Sequence, residues 1–283
     1  MKKFAYQNKK RKNYFEGWYF RFSTQETNYA IIFAVTKNQE DPHAFIQLFS
    51  DKMEECIYKR FKISQFSYQD GIVNIGGNKL SLKGVSANID NFNVNLKFTV
   101  KNPVTKSAMG YLSNAPLDCF QEVILMDGIA KGTMNNKKVT CVIYIEKTYG
   151  NKFPKRWIWL QSNHSRKNSK ISFSVGYIPF LTFTVKGWLL VVNYNKERIS
   201  FHSLAGASLQ YIDNGFIVKS RRYKVIVHYE QNKTIKLVGP GIKAKMEIPV
   251  YESLTSKATI EIFKDKQLVY EDIYTNVGLE NMM

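Results

Sequence analysis

Phe92-Asn93-Val94-Asn95-Leu96-Lys97-Phe98-Thr99-Val100 alternates apolar and polar side chains almost without a break. A period of two sends successive side chains to opposite faces of an extended chain, so the run predicts a strand with one face buried and one in water. The same pattern recurs on both sides of it, at residues 72–75, 80–89, 139–150, 156–164, 171–175, 180–194, 223–229, 234–239, 258–263 and 268–274. Between the runs stand Gly76-Gly77, Asn135-Asn136, the asparagines 193 to 195, and Asp213-Asn214-Gly215, all residues that tight turns favour. No stretch keeps a helical period, and residues 103–118, with Pro103, Gly110 and Pro116, read as a long loop. The sequence therefore predicts an all-β chain of many short antiparallel strands joined mostly by hairpins.

The chain has 283 residues, which suits two domains or one large β architecture. Twenty-odd strands are enough for two barrels, and closing a meander into a barrel removes its exposed edges. A seam falls near Gly150 to Pro154, where one alternating run stops and another starts, giving expected domains of 1–150 and 151–283. An apolar fraction of 44% and an aromatic share of 14%, spread along the chain, exclude a disordered protein. The opening residues are basic without the apolar run of an export signal, and no stretch has the uninterrupted apolar length of a membrane helix, so the expected location is cytoplasmic. Cys56, Cys119 and Cys141 are odd in number and widely spaced, which suggests reduced thiols rather than disulfides or a zinc site.

A net charge of +18 invites a polyanionic partner. Lysine supplies most of it and is scattered over presumed outward faces, whereas specific phosphate or base readout uses clustered arginine forks, so no specific nucleic acid is expected. The clusters Lys9 to Lys12 and Arg221-Arg222 suit loose contact with an anionic membrane surface.

Two stretches carry a family resemblance. The first is Tyr14-Phe15-Glu16-Gly17-Trp18-Tyr19-Phe20; the second runs through Glu146-Lys147, Gly150, Phe153-Pro154, Trp157, Trp159, Gln161 and Asn163. In this order they resemble the tocopherol cyclase family, whose pattern is roughly FEGWYF followed by EKxWGxxFPxxWxWxQxN. The resemblance implies two lipocalin-like barrels in tandem, a relation to carotenoid hydratases, and a hydrophobic, often prenylated ligand. It implies a cofactor-free reaction in which a phenolic hydroxyl adds across a trisubstituted alkene. Two positions depart from the pattern: Tyr149 stands where the family has tryptophan, and Gly128 where a histidine is expected.

Such chemistry starts by protonating carbon, which needs a carboxylic acid kept neutral by apolar surroundings. Glu146, then Asp127, then Glu16 are the candidate donors. Glu16 among Phe15, Trp18 and Tyr19 is equally a structural partner for a lysine or arginine, because a buried carboxylate is costly unless paired. Lys147 reads as the outward neighbour of an inward Glu146. Trp18, Tyr144, Trp157, Trp159, Gln161 and Asn163 are the candidate ligand contacts; the last four share one face of a regular strand, with His164 opposite, and the same face equally serves as ordinary core. No GxSxG, P-loop or HExxH motif is present, and His43, His164, His202 and His228 are far apart in sequence, so neither a metal nor a cofactor is called for. Three readings stand: a cyclase or hydratase of a prenylated or terpenoid substrate, a non-catalytic carrier of a lipophilic molecule, and a structural protein that keeps only the fold.

Overall fold

The structure is a computed structural model that describes residues 3–7, 10–100, 103–104, 117–180, 183–203 and 205–283. Lys9 of the first basic cluster and most of the segment read as a long loop lie outside the described residues. Within that segment Pro103 bridges to Leu125, and the Val104 N–H donates to the Ile124 carbonyl at 2.9 Å.

The fold is all-β, with twenty-two strands among the described residues. They form two barrel-like halves in tandem, each built on one large antiparallel sheet. Two compact units result. Unit 1 holds the described residues of 1–107, 117–153 and 235–250; unit 2 holds 154–234 and 251–283.

The first sheet contains β1 (Phe15–Ser23), β2 (Asn28–Thr36), β3 (His43–Ser50), β4 (Ile57–Lys62), β5 (Phe66–Gln69), β6 (Ile72–Ile75), β7 (Asn78–Ser81), β8 (Gly84–Ile89), β9 (Phe92–Val100), β10 (Cys119–Met134) and β11 (Lys137–Gly150). Their order is β4-β3-β2-β1-β11-β10-β9-β8-β7-β6-β5, so every neighbour except β1 and β11 is also a neighbour in sequence. The two end strands, β4 and β5, are joined by one 3-10 turn, Ile63–Gln65, and the sheet curls to near closure. Its inward side chains, among them Trp18, Phe20, Phe22, Ile31, Phe33 and Ile145, belong to one buried apolar cluster.

The turn residues singled out in the sequence fall between paired strands, and further hairpin turns form at Asp70-Gly71 and Asp265-Lys266. Asn135 and Asn136 both take positive φ (47° and 64°) between β10 and β11, the backbone twist that a two-residue hairpin needs. Gly150, at the end of β11, has φ +152°, and a Cβ there would lie 2.0 Å from the Asp118 carbonyl oxygen, so only glycine fits this position of the second motif.

The second sheet contains β12 (Trp157–Ser162), β14 (Lys170–Phe180), β15 (Phe183–Tyr194), β16 (Glu197–His202), β17 (Ser208–Ile212), β18 (Gly215–Lys219), β19 (Tyr223–Glu230), β21 (Met246–Lys264) and β22 (Gln267–Met282). The short β13 (His164–Ser165) pairs with β22, and β20 (Ile235–Pro240) pairs with β21. The order is β16-β15-β14-β12-β22-β21-β19-β18-β17. Ile158, Leu160, Phe173, Leu190, Val227 and Ile260 belong to its buried interior cluster. Segment 235–250, which contains β20, folds with unit 1: Gln47 Nε2 donates to the Val238 carbonyl at 3.0 Å, and the Thr36 hydroxyl to the Ala244 carbonyl at 2.5 Å.

Candidate functional site

The register of β1 on β11 decides which motif residues meet. Glu16 lies opposite Tyr149, Trp18 opposite Lys147 and Phe20 opposite Ile145, so these side chains share the face that builds the interior of unit 1. Tyr19 lies opposite Glu146 and Arg21 opposite Tyr144, on the other face of the same strands. The expected inward Glu146 and outward Lys147 are therefore inverted: Lys147 is the residue on the interior face.

Inside unit 1, Lys147 Nζ sits 2.9 Å from Glu16 Oε1, with both side chains fully buried. Glu16 also accepts from the Tyr14 hydroxyl at 2.8 Å and from the Gln7 N–H at 3.0 Å. Burial pushes the Glu16 carboxyl up, and Lys147, Tyr14 and Gln7 pull it back; burial pushes the Lys147 ammonium down against the pull of Glu16. The Lys147 ammonium lies 5.0 Å from the Tyr149 ring centroid and 5.9 Å from that of Trp18. Tyr149, where the family has tryptophan, stacks on Phe120, and burial followed by Glu122 and Glu16 pushes its phenol up to about 12.

Residues 3–7 cover this cluster. Phe4 is buried in the interior core, its carbonyl accepts from Trp18 Nε1 at 2.8 Å, and the Ala5 carbonyl accepts from Lys147 Nζ at 2.6 Å. Lys3 stands 3.5 Å from Glu122, which lies opposite Lys147 on β10. Glu16 and Trp18 are thus held by the chain itself, Glu16 as the partner of a buried lysine.

On the other face of β11, the Tyr144 hydroxyl is 2.6 Å from Glu146 Oε2, and Gln121 Nε2 donates to the same oxygen at 3.0 Å. Tyr144 is fully buried and Glu146 nearly so. Tyr19 meets Tyr144 edge-on at 6.4 Å between ring centroids. Arg21, buried and opposite Tyr144, completes a face of two phenols, a carboxyl, an amide and a guanidinium. The short O···O distance and the phenol beside the carboxyl suit transfer of a proton along one line of atoms.

Asp127 lies apart from both groups in register. The β10–β11 pairing slips between Val123 and Leu125 and again between Leu125 and Gly128, and half-buried Asp127 falls in the second bulge. Gly128, where a histidine is expected, lies opposite Ile143 of the interior face; a Cβ there would come to 3.0 Å from the Thr99 carbonyl oxygen and 3.1 Å from Ile143 Cγ1. The close approach of β9 explains the glycine.

In unit 2, Ile158 and Leu160 belong to the interior cluster, so Trp157, Trp159 and Gln161 occupy the opposite face of β12, and all three are buried. Their common side is as the period of two requires. Trp157 Nε1 donates to Glu280 Oε2 at 2.5 Å, and Glu280 lies opposite both Trp159 on β12 and Glu252 on β21. β12 ends at Ser162; buried Asn163 follows it in a bend, where its carbonyl accepts from Lys170 Nζ at 2.9 Å. His164 starts β13 and is half-buried. Glu252 and Glu280 sit in no recognisable motif. Tyr19 and Arg21 were within reach of the sequence, because the period of two that joins Glu16 to Trp18 puts them on the face of Tyr144 and Glu146.

Residues 90–178 match the model of a family described as tocopherol cyclase-like. The matched stretch contains Asp127, Tyr144, Glu146 and the Trp157 to Asn163 motif, and leaves out the Glu16 to Phe20 stretch. No curated protein matches the chain in sequence. Among solved structures, one described as an AttH from Nitrosomonas europaea aligns with a TM-score of 0.54 at 11% identity, over 95% of this chain and 93% of that one. CghA, solved alone and with Sch210972, aligns at 0.56 and 9% identity, over 95% of this chain and 88% of that one. At such identities the alignments establish a shared fold and leave the chemistry to the residues.

Proposed function

We propose, taking the tocopherol cyclase-like match as premise, that this chain binds a lipophilic, alkene-bearing small molecule and starts its cyclisation or hydration by proton transfer from the Tyr144–Glu146 pair. The observation that carries the reading is the 2.6 Å contact between the Tyr144 hydroxyl and Glu146 Oε2 on a buried face that the interior core of unit 1 does not use. Of the three candidate acids, Glu16 is committed to Lys147 and Asp127 lies in a bulge, which leaves Glu146 as the donor best placed for chemistry.

In the reaction, Glu146 carries its acid proton on Oε1, because Oε2 accepts from Tyr144 and Gln121; that proton adds to the less substituted alkene carbon and leaves a tertiary carbocation on its neighbour. A phenolic hydroxyl of the substrate, or water, then attacks the cation, and its released proton returns to the carboxylate. No electron donor or acceptor is consumed. The Tyr19 and Tyr144 rings offer π faces to the cation, and Tyr144 positions the carboxyl. In unit 2, the face of Trp157, Trp159 and Gln161 has the mixed aromatic and amide character that an amphiphilic molecule requires.

Each half has one interior cluster of apolar side chains, and the Tyr144–Glu146 face and the Trp157, Trp159 and Gln161 face lie outside those clusters, which favours a ligand on these other faces of the sheets. Apolar interiors are also what a carrier or a purely structural protein would show, so turnover is the decisive measurement. Incubation with a prenylated hydroquinone in deuterated buffer should give a cyclised or hydrated product carrying one solvent deuteron on carbon. Glu146→Gln should cut turnover roughly a hundredfold or more while retaining binding. Binding without turnover in the unaltered protein would establish the carrier reading, and neither binding nor turnover across prenylated phenols and isoprenoids would leave the structural one.

A further inference from the structure

Four turns gather at one end of the unit 2 barrel: 166–169, 195–196, 220–222 and 265–266. Their proximity is fixed by contacts across the strands that carry them. The Asp265 N–H donates to the Arg222 carbonyl at 2.8 Å, Tyr223 lies opposite Lys264, the Tyr194 and Tyr270 rings are 5.0 Å apart, and Lys167 Nζ is 5.7 Å from the Tyr270 ring centroid.

This end is basic and exposed. Lys167, Lys196, Arg198, Arg221, Arg222 and Lys266 all project into solvent. The exposed acids beside them are Glu197, Asp265 and Glu271. Arg222 pairs with Asp265 at 3.2 Å and Lys167 with Glu271 at 3.7 Å, all four side chains more than half exposed, so these pairs are weak and screened.

The same end carries an apolar tip. Leu268 and Val269 are 50% and 43% exposed and adjacent in sequence. On a regular strand two neighbours point to opposite faces, and one of them would enter the barrel. Here Ile262 pairs with Tyr270 while Phe263 pairs with Leu268, so Val269 is an extra residue in a β-bulge, and the bulge turns both side chains to water. A pair of exposed aliphatic residues inside a rim of cations has the composition of an interfacial anchor: the cations meet lipid phosphates, and the aliphatic tip enters the headgroup–acyl boundary.

We propose that this end of unit 2 docks on a bilayer surface rich in anionic lipid, with Leu268 and Val269 as its apolar tip and the surrounding lysines and arginines as its rim. The inference stands on this rim alone and is independent of the reaction proposed above.

The full-length protein should float with mixed phosphatidylcholine–phosphatidylserine vesicles and stay behind with phosphatidylcholine alone. Raised salt should release it. Arg221→Glu/Arg222→Glu/Lys266→Glu and, separately, Leu268→Asp/Val269→Asp should each weaken vesicle binding by roughly tenfold or more, with unchanged thermal unfolding. Leu268→Ser/Val269→Ser provides a milder apolar variant should the aspartates disturb the bulge. Absence of vesicle binding, equal binding to neutral vesicles, or binding unchanged by either set of substitutions would overturn the proposal. So would competition by a single-stranded oligonucleotide combined with indifference to the Leu268 and Val269 changes, since that pattern describes a general polyanion site.

Discussion

Glu16 of β1 and Lys147 of β11 meet diagonally across the strand pair, with 2.9 Å between Oε1 and Nζ and no exposure of either side chain. A pair taken so far from water is held by its mutual charge and by the Tyr14, Gln7 and Ala5 hydrogen bonds, and neither partner tolerates loss of the other. Lys147→Met should cost about 3–5 kcal/mol in urea unfolding, because it strands a buried carboxylate. The double variant Glu16→Gln/Lys147→Met should cost clearly less than the sum of the two single changes. Additive losses would show that the two side chains do not act as a pair.

On the opposite face the Tyr144–Glu146 pair predicts a different outcome. Glu146→Gln should lower kcat roughly a hundredfold or more, and Tyr144→Phe roughly tenfold to a hundredfold, with KM little changed in both. The double variant should be little worse than Glu146→Gln alone, since phenol and carboxyl serve one proton transfer. Steady-state kinetics on a prenylated phenol decides it; multiplicative losses would separate the two roles.

Asp272, in unit 2, sets an acid limit on stability. Burial pushes its carboxyl up, and hydrogen bonds from the Ser165, Ser169 and Tyr270 hydroxyls and the Lys167 N–H more than reverse this, holding it at about 2. The folded value lies below the unfolded one, so the stabilisation is complete above the unfolded carboxyl range and disappears as pH falls through the folded value. Asp272→Asn should therefore cost about 2 kcal/mol at neutral pH, and the gap between the variant and the unaltered protein should close as pH falls from about 4 to 2. Urea midpoints across that window check the sign.

Gly128 tests the departure from the family pattern. With the Thr99 carbonyl and Ile143 already 3.0–3.1 Å from the place of a Cβ, Gly128→His should destabilise unit 1 by about 1–3 kcal/mol and bring no gain in activity. A stable and more active Gly128→His protein would show that β9 yields at this point.

Alternation and turn chemistry made the fold class legible before any tertiary structure. Phe92 to Val100 became β9, and Asn135-Asn136 became the left-handed turn between β10 and β11. The common side of Trp157, Trp159 and Gln161 was legible for the same reason. Which side that was could not be read, because Trp157-Ile158-Trp159-Leu160 is apolar on both faces and a period of two then has no preferred orientation. In Ile143-Tyr144-Ile145-Glu146-Lys147 the two isoleucines share the face of Lys147, but a lysine on an interior face is stable only with a buried partner, and Glu16 lies too far away in the chain to be read as one.

The sequence by itself determined that the chain folds as antiparallel strands, because each run carries its own periodicity and each turn its own backbone preference, and these are local properties. Tertiary structure alone decided that Lys147 would meet Glu16 across a strand register, that Tyr144 and Glu146 would share a buried face outside the interior core, that residues 235–250 would fold with unit 1, and that one extra residue at Val269 would expose an apolar tip. Register, closure and bulges arise from pairing between segments far apart in the chain, and no local pattern encodes which partner a strand finds.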